Sequence, residues 1–283
     1  MIKNLEKVRV GRISYINVAP VYYGLDRSIK PDWLELVTAP PAELNRRLEE
    51  GSIDISPVSS AAYAKNHRDW LIMPDLSISS DGNVLSVLLV SHSPVNMLDG
   101  KKVLLSEESA SAASLVRYLL SSMGSSPQFI SSRVCSPSDV NNEAEAALVI
   151  GDAALTEDWA GAFEYVTDLG ALWKETTGLP FVFAVWAVRK TFAERHPERL
   201  AEIASLFVES KKQGRVNYPE IISSASLKTG LSVDLCERYF DYLNCDLGEK
   251  NIKGLETFFD GLYKCKIISE RVRVEFARVV SEN

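Results

Sequence analysis

The chain of 283 residues has only four cysteines and three histidines, and neither set is spaced for chemistry. Cys135, Cys236, Cys245 and Cys265 form no CxxC pair and have no close histidine, so small buried hydrophobes are their expected role. His67, His92 and His196 show no ligand or triad spacing, and no metal is expected. A phosphate-cradling loop, internal repeats and low-complexity tracts are missing as well. Positive charge is in deficit: 31 Lys and Arg against 38 Asp and Glu leave a net charge of -7. That argues against non-specific nucleic-acid binding, whose affinity comes from neutralising phosphates. An anionic ligand would have to be captured by local potential rather than by the field of the whole chain. The longest apolar runs, such as residues 84–90, fall far short of the ~20 residues a membrane-spanning helix needs. Residues 1–7 lack the apolar core and cleavage site of a signal peptide. The expectation is a cytoplasmic protein with neither nucleic acid nor membrane as partner.

What remains is ordinary globular composition, 46% hydrophobic and 24% charged, in a chain long enough for two lobes. Residues 8–13 alternate as a strand, and residues 18–25 begin a helix with Pro20 near its first turn. Residues 34–38 read as a second strand. Residues 40–51 read as a helix, with prolines at its start and glycine after its end. Residues 53–55 return as a short buried strand, so the order β-α-β-α-β predicts a parallel sheet. Two extended segments occupy 69–90, broken at 79–83. A second α/β unit opens with a strand at 102–105, a capped helix at 109–120 and a strand at 146–150. Residues 181–188 form a long apolar strand, and from Lys190 the pattern is helical to the end, with Gly214, Gly230, Gly248 and Gly254 as punctuation. The predicted fold is α/β and two-lobed, each lobe a mainly parallel sheet flanked by helices. Residues 1–90 plus 186–283 would form one lobe and 91–185 the other, with the ligand in the cleft at the strand ends.

The polar residues at those strand ends are the candidate site, and each carries a plainer reading beside the functional one. Asn17 follows a strand in apolar surroundings and can both donate to and accept from a substrate, or it is a turn asparagine bonded to its own backbone. Arg12 supplies a positive charge for a carboxylate, or a surface ion pair. Ser56, Ser59 and Ser60 flank a turn opening a helix, where hydroxyls and N–H groups can grip a carboxylate. A plain N-cap needs only one of them. Ser86 sits in an apolar run and must find a partner, either a ligand or a backbone carbonyl. Residues 106–114 are serine-dense at a helix start, with Glu107 and Glu108 as first-turn charges. Gly151-Asp152 ends a strand, and Thr176 to Phe181 form a turn that could close the pocket.

Four ordered blocks of these residues resemble one known family. They are Gly-Arg-Ile-Ser-Tyr-Ile-Asn at 11–17 with Pro20 and Tyr22-Tyr23-Gly24-Leu25, Ile-Asp-Ile-Ser-Pro-Val-Ser-Ser at 53–60, residues 78–89, and Thr-Gly-Leu-Pro-Phe-Val-Phe-Ala at 177–184. Together they resemble the chorismate dehydratases of the futalosine route to menaquinone, over about residues 8–188. The resemblance implies a type II periplasmic-binding-protein-like fold working in the cytoplasm without a cofactor. It implies a lyase converting chorismate to 3-[(1-carboxyvinyl)oxy]benzoate and water, with Asn17 and Ser86 in the catalytic positions. The expected substrate contacts are Arg12, Ser14, Tyr15, Ser56, Val58, Ser59, Ser109, Ala110, Ser111, Gly151, Asp152, Thr177 and Gly178. The alternatives are a non-catalytic solute-binding protein of the same fold and the sister 1,4-dihydroxy-6-naphthoate synthase. The cysteine- and asparagine-bearing opening motif of that sister is not found here. A ligand-sensing regulator would bring a basic recognition helix, and none is evident.

Overall fold

A computed structural model describes residues 7–27, 29–106, 109–140 and 144–279. The chain opens with β1 (Val8–Ile13), a single 3-10 turn at Ile16–Val18, and α1 (Ala19–Arg27) with Pro20 in its first turn. After β2 (Leu34–Ala39), α2 (Pro41–Glu50) starts on proline and stops at Gly51, which takes the left-handed φ of 76°. Next come β3 (Ile55–Ser59), α3 (Ser60–Asn66) and β4 (Trp70–Ser80). A second series follows: β5 (Val87–Ser91), β6 (Lys102–Ser106), α4 (Ala110–Ser122), β7 (Gln128–Ser132) and β8 (Ala146–Ile150). It ends with α5 (Asp152–Thr156), α6 (Trp159–Ala162), β9 (Tyr165–Asp168) and α7 (Leu169–Thr177). Then β10 (Phe181–Arg189) leads into α8 (Lys190–Arg195), α9 (Pro197–Val216), α10 (Tyr218–Thr229), α11 (Val233–Tyr242) and α12 (Glu249–Lys264).

The strands form two five-stranded sheets of the same design, β2-β1-β3-β10-β4 and β7-β6-β8-β5-β9. In the first, β1 runs parallel to β2 and β3, and β10 runs antiparallel to β3 and β4. In the second, β6 runs parallel to β7 and β8, and β5 runs antiparallel to β8 and β9. Each sheet is therefore mixed, with four strands pointing one way and the fourth in order reversed. The reversed strands, Phe-Val-Phe-Ala-Val-Trp-Ala-Val-Arg and Val-Leu-Leu-Val-Ser, are the near-continuous apolar runs expected of strands covered on both faces.

Backbone pairing moves the lobe boundaries from those read in the sequence. Residues 87–90 pair in the second sheet and residues 181–185 in the first, the reverse of the expected assignment. The chain changes sheets between Ser80 and Val87, and again between Asp168 and Phe181. The third strand spans Ile55–Ser59 rather than residues 53–55, and its extension past residue 55 draws Ser56 and Val58 into the sheet.

Two other expectations change. Gly214 and Gly254 lie inside α9 and α12 rather than between helices. A Cβ on Gly214 would stand 2.1 Å from the Pro20 carbonyl oxygen, and one on Gly254 2.2 Å from that of Pro180. Both glycines therefore serve close helix packing. The chain also leaves the helical pattern after Lys264. Residues 271–276 alternate charged and apolar, a strand period, and the segment lies beside β4. The Ile72 N–H donates to the Glu275 carbonyl at 2.8 Å and the Ala277 N–H to that of Ile72 at 2.8 Å. Among the described residues no helix is long and apolar enough to cross a membrane.

Candidate active site

A cavity of about 160 Å³ opens where both sheets present their strand ends. Its walls are mostly apolar, with Ile13, Ile16, Ile78, Val84, Val87, Ile150 and Phe183 among them. Four helix starts also reach it: Pro41 and Ala42 of α2, Ser59 before α3, Ser109 and Ala110 at α4, and Gly151-Asp152 at α5. Helix starts carry partial positive charge and free N–H groups, so they attract carboxylates without a formal cation. Among the described residues no lysine or arginine lines the cavity, and Asp152 is its one charged side chain.

From the first sheet, the 3-10 turn after β1 delivers Asn17, and the first turns of α2 deliver Asn45. The Oδ1 atoms of both are buried and find no hydrogen-bond partner among the described residues. A turn asparagine bonded to its own backbone would not leave its oxygen so, and a buried amide oxygen without a donor is costly. Tyr15 lines the cavity beside them. Ser59 caps α3 by accepting from the Ala62 N–H at 3.2 Å, and it also lines the cavity.

From the second sheet comes Ser86, immediately before β5, where its carbonyl accepts the Gly151 N–H at 2.8 Å. Its hydroxyl pairs with the phenol of Tyr239 on α11 rather than with a backbone carbonyl. Burial pushes the Tyr239 phenol up to about 12, the Ser86 hydrogen bond opposes that, and the nearby Asp152 charge adds to it. Tyr239 is therefore a neutral phenol at physiological pH. Ser109 caps α4, accepting from the Ala112 N–H at 3.2 Å, and Gly151 holds a φ of 64° at the start of α5.

Seven expected contacts lie away from the cavity. Arg12 is paired with Asp26 at 2.6 Å, with Tyr22 beside its guanidinium. Ser14 is exposed, and its carbonyl accepts from Lys228 at 2.5 Å. Ser56 and Val58 are fully buried within β3, where the Ser56 hydroxyl donates to the Pro57 carbonyl at 3.1 Å. The Ser111 hydroxyl accepts from the Ala61 N–H at 2.9 Å, tying α4 to α3. Thr177 donates to the Trp173 carbonyl at 2.8 Å and Gly178 ends α7 with a φ of 73°, so this turn stops a helix rather than closing the pocket. From that sequence block only Phe183 and Ala184 reach the cavity. Ser60 donates to the Val182 carbonyl at 2.6 Å. Glu107 and Glu108 lie outside the described residues.

Asn45, Tyr239 and Leu243 were not visible from sequence. Asn45 follows the core residue Leu44 on an otherwise charged helix, and Tyr239 shares an apolar helix face with Cys236 and Phe240. Those are weak signals. Of the other carboxylates in the sequence blocks, Asp54 lies 3.7 Å from Arg189 and Asp81 2.5 Å from Lys174. Neither lines the cavity. Among the described residues no cluster of His, Cys, Asp and Glu could hold a metal.

The sequence pattern of a family described as menaquinone biosynthesis matches residues 8–264. A chorismate dehydratase from Thermus thermophilus is 30% identical over 269 residues, covering 89% of this chain and 94% of that protein. A 1,4-dihydroxy-6-naphthoate synthase from the same organism is 29% identical over 192 residues, covering 67% of this chain and 69% of the relative. In three dimensions, the periplasmic aliphatic sulphonate binding protein of Escherichia coli superposes with a TM-score of 0.66 at 16% identity, covering 98% of this chain and 94% of its own. That likeness shows a periplasmic-binding-protein-like fold.

Proposed function

The chain belongs to the menaquinone-biosynthesis family, and from that membership we propose that it is a cytoplasmic chorismate dehydratase, a carbon–oxygen hydro-lyase. The observation that carries the proposal is the buried, unpartnered Oδ1 of Asn17 in the same cavity as the Ser86–Tyr239 pair. Chorismate brings two carboxylates and one hydroxyl. The helix starts with their hydroxyls and N–H groups suit the carboxylates, and the apolar walls suit the ring. The C4 hydroxyl is the substrate's hydrogen-bond donor, and an amide oxygen without a donor is a fitting acceptor for it.

The chemistry needs few groups. The C3 hydrogen is vinylogous to the ring carboxylate, so its removal gives a delocalised anion. Expulsion of hydroxide from C4 then completes the aromatic ring, and the proton and hydroxide together make one water. In this reading Asn17 orients the C4 hydroxyl, and Ser86 donates to it as it leaves. Tyr239, held as a neutral phenol beside Ser86, fixes where that hydroxyl sits in the cavity. The substrate's enolpyruvyl carboxylate takes the C3 proton through a six-membered arrangement.

The test is incubation of the purified protein with chorismate alone, followed by mass spectrometry. A product lighter by one water, with the enolpyruvyl group retained and a benzoate-type spectrum, is expected. Saturable binding with chorismate unchanged would instead indicate a solute-binding protein, and no binding would send the search to the sister's substrate. An analogue esterified at the enolpyruvyl carboxylate is expected to bind without reacting, and its normal turnover would rule out the substrate as base.

A further inference from the structure

We propose that Asp168 is a positioning residue for Ser86. The inference rests on Ser86 acting in the dehydration, but the contacts that carry it lie outside the cavity. Leu85, directly before Ser86, has a φ of 61°, a left-handed conformation that a leucine side chain disfavours. The Ser86 N–H donates across it to the Val84 carbonyl at 2.7 Å. A hydrogen bond spanning two residues around a positive φ marks the rare and strained form of the γ-turn. Such a turn persists only where its surroundings over-determine it.

Asp168 supplies that determination. One of its carboxylate oxygens, Oδ2, accepts from the Val84 N–H at 2.9 Å and the Leu85 N–H at 2.8 Å. The other, Oδ1, accepts from the Gly170 N–H at 2.9 Å and the Ala171 N–H at 3.1 Å, capping α7. One side chain thus joins both segments through which the chain changes sheets. Gly170 allows the approach, since a Cβ there would stand 2.4 Å from the Gly82 carbonyl oxygen. On its far side Ser86 is held by the Gly151 N–H. Without the Asp168 carboxylate, Leu85 can relax to negative φ, which turns the Ser86 hydroxyl away from Tyr239 and the cavity. The sequence offers no hint of this, because Asp168 and Leu85 are far apart in the chain and neither belongs to a polar motif.

Asp168→Ser separates the two duties, because serine still caps α7 but is too short to reach Val84 and Leu85. The expected result is a fall in kcat of about 10- to 100-fold with KM changed less than about threefold, the pattern of a misplaced group rather than a lost binding contact. Amide exchange across residues 82–88 of the free protein should quicken as well. Leu85→Gly added to Asp168→Ser should raise kcat again by about fivefold or more, since glycine adopts positive φ without support. General damage to the fold would not be repaired that way. A kcat within twofold of the unmodified protein, unchanged exchange, or a loss that Leu85→Gly does not recover would overturn the proposal. If Asp168→Ser does not fold, Asp168→Asn serves with the same expectations, because its amide group leaves only one oxygen for the two pairs of N–H donors. Failure of the dehydratase reading itself would show in the unmodified protein, as no turnover, while exchange still reports on the Asp168 contacts.

Discussion

In the first sheet the loop after β1 makes an extra 3-10 turn that sets Asn17 in the cavity, whereas the equivalent loop after β6 leads to α4 with Ser109 as its cap. After β3 the chain enters α3 through the neutral Ser59, and after β8 it enters α5 through Gly151 and the charged Asp152. Strand β10 enters the first sheet from the Gly178 helix stop, but its counterpart β5 enters the second from the strained turn carrying Ser86. The shared frame brings helix starts to one cleft from both sides, which suits an anion. The candidate chemistry sits where the two halves differ. The C-terminal helices add a further asymmetry, since α11 packs with Ile16 and Tyr23 of the first unit yet supplies Tyr239 to Ser86 of the second.

The largest effect should come from the unlike positions. Ser86→Ala and Asn17→Ala are each expected to lower kcat with chorismate by about 100- to 1000-fold, the first by removing a donor to developing charge and the second by removing the acceptor that orients the departing hydroxyl. Because both act on one departing hydroxyl, the double variant should lose far less than the product of the two. Multiplying losses in a steady-state assay would mean the two walls act independently.

Asp152→Asn sharpens the contrast between the α3 and α5 starts. If the substrate supplies its own base, kcat should change less than about tenfold, and KM should fall as a repelling charge leaves the cavity. A fall in kcat of about a thousandfold would make Asp152 the base instead.

Tyr239→Phe addresses the link between halves. Folded Tyr239 keeps its proton to about 12, whereas an unfolded tyrosine loses it near 10. The unfolded state then binds fewer protons, so stability falls as pH rises between those values, by roughly 2–3 kcal/mol from this residue. Denaturant unfolding at pH 10 to 12 should show a shallower decline in the phenylalanine variant, and kcat should drop about tenfold from loss of the Ser86 partner. An unaltered alkaline slope would place the phenol in water.

The like positions should give the smallest and most equal effects. Ser59→Ala and Ser109→Ala each remove a helix cap worth about 1 kcal/mol, which thermal unfolding can read as a few degrees. Unequal losses would mean that one cap does more than complete its helix.

Legibility followed the range of the forces involved. The strand at β1, the proline-to-glycine bounds of α2, the capped start of α4 and the apolar run of β10 were readable because local propensity and periodicity determine them. Asn17, Ser59, Ser86, Ser109 and Gly151-Asp152 were readable as cavity residues because ligand sites gather at such strand ends. Ser56 and Val58 were misplaced because the strand runs four residues further than read, to Ser59, carrying them into the sheet. Arg12 was misplaced because its partner Asp26 lies one helix away.

By itself the sequence determined that this is an α/β chain of two similar sheets, with polar strand ends and no metal-binding pattern, since residue spacing and chain order suffice for that. Only the tertiary structure decided that Asn45 and Tyr239 enter the cavity, that Arg12 leaves it, and that Asp168 holds the turn before Ser86. Each of those depends on helices and strands meeting across long stretches of chain, and no local pattern encodes which buried oxygen meets which donor.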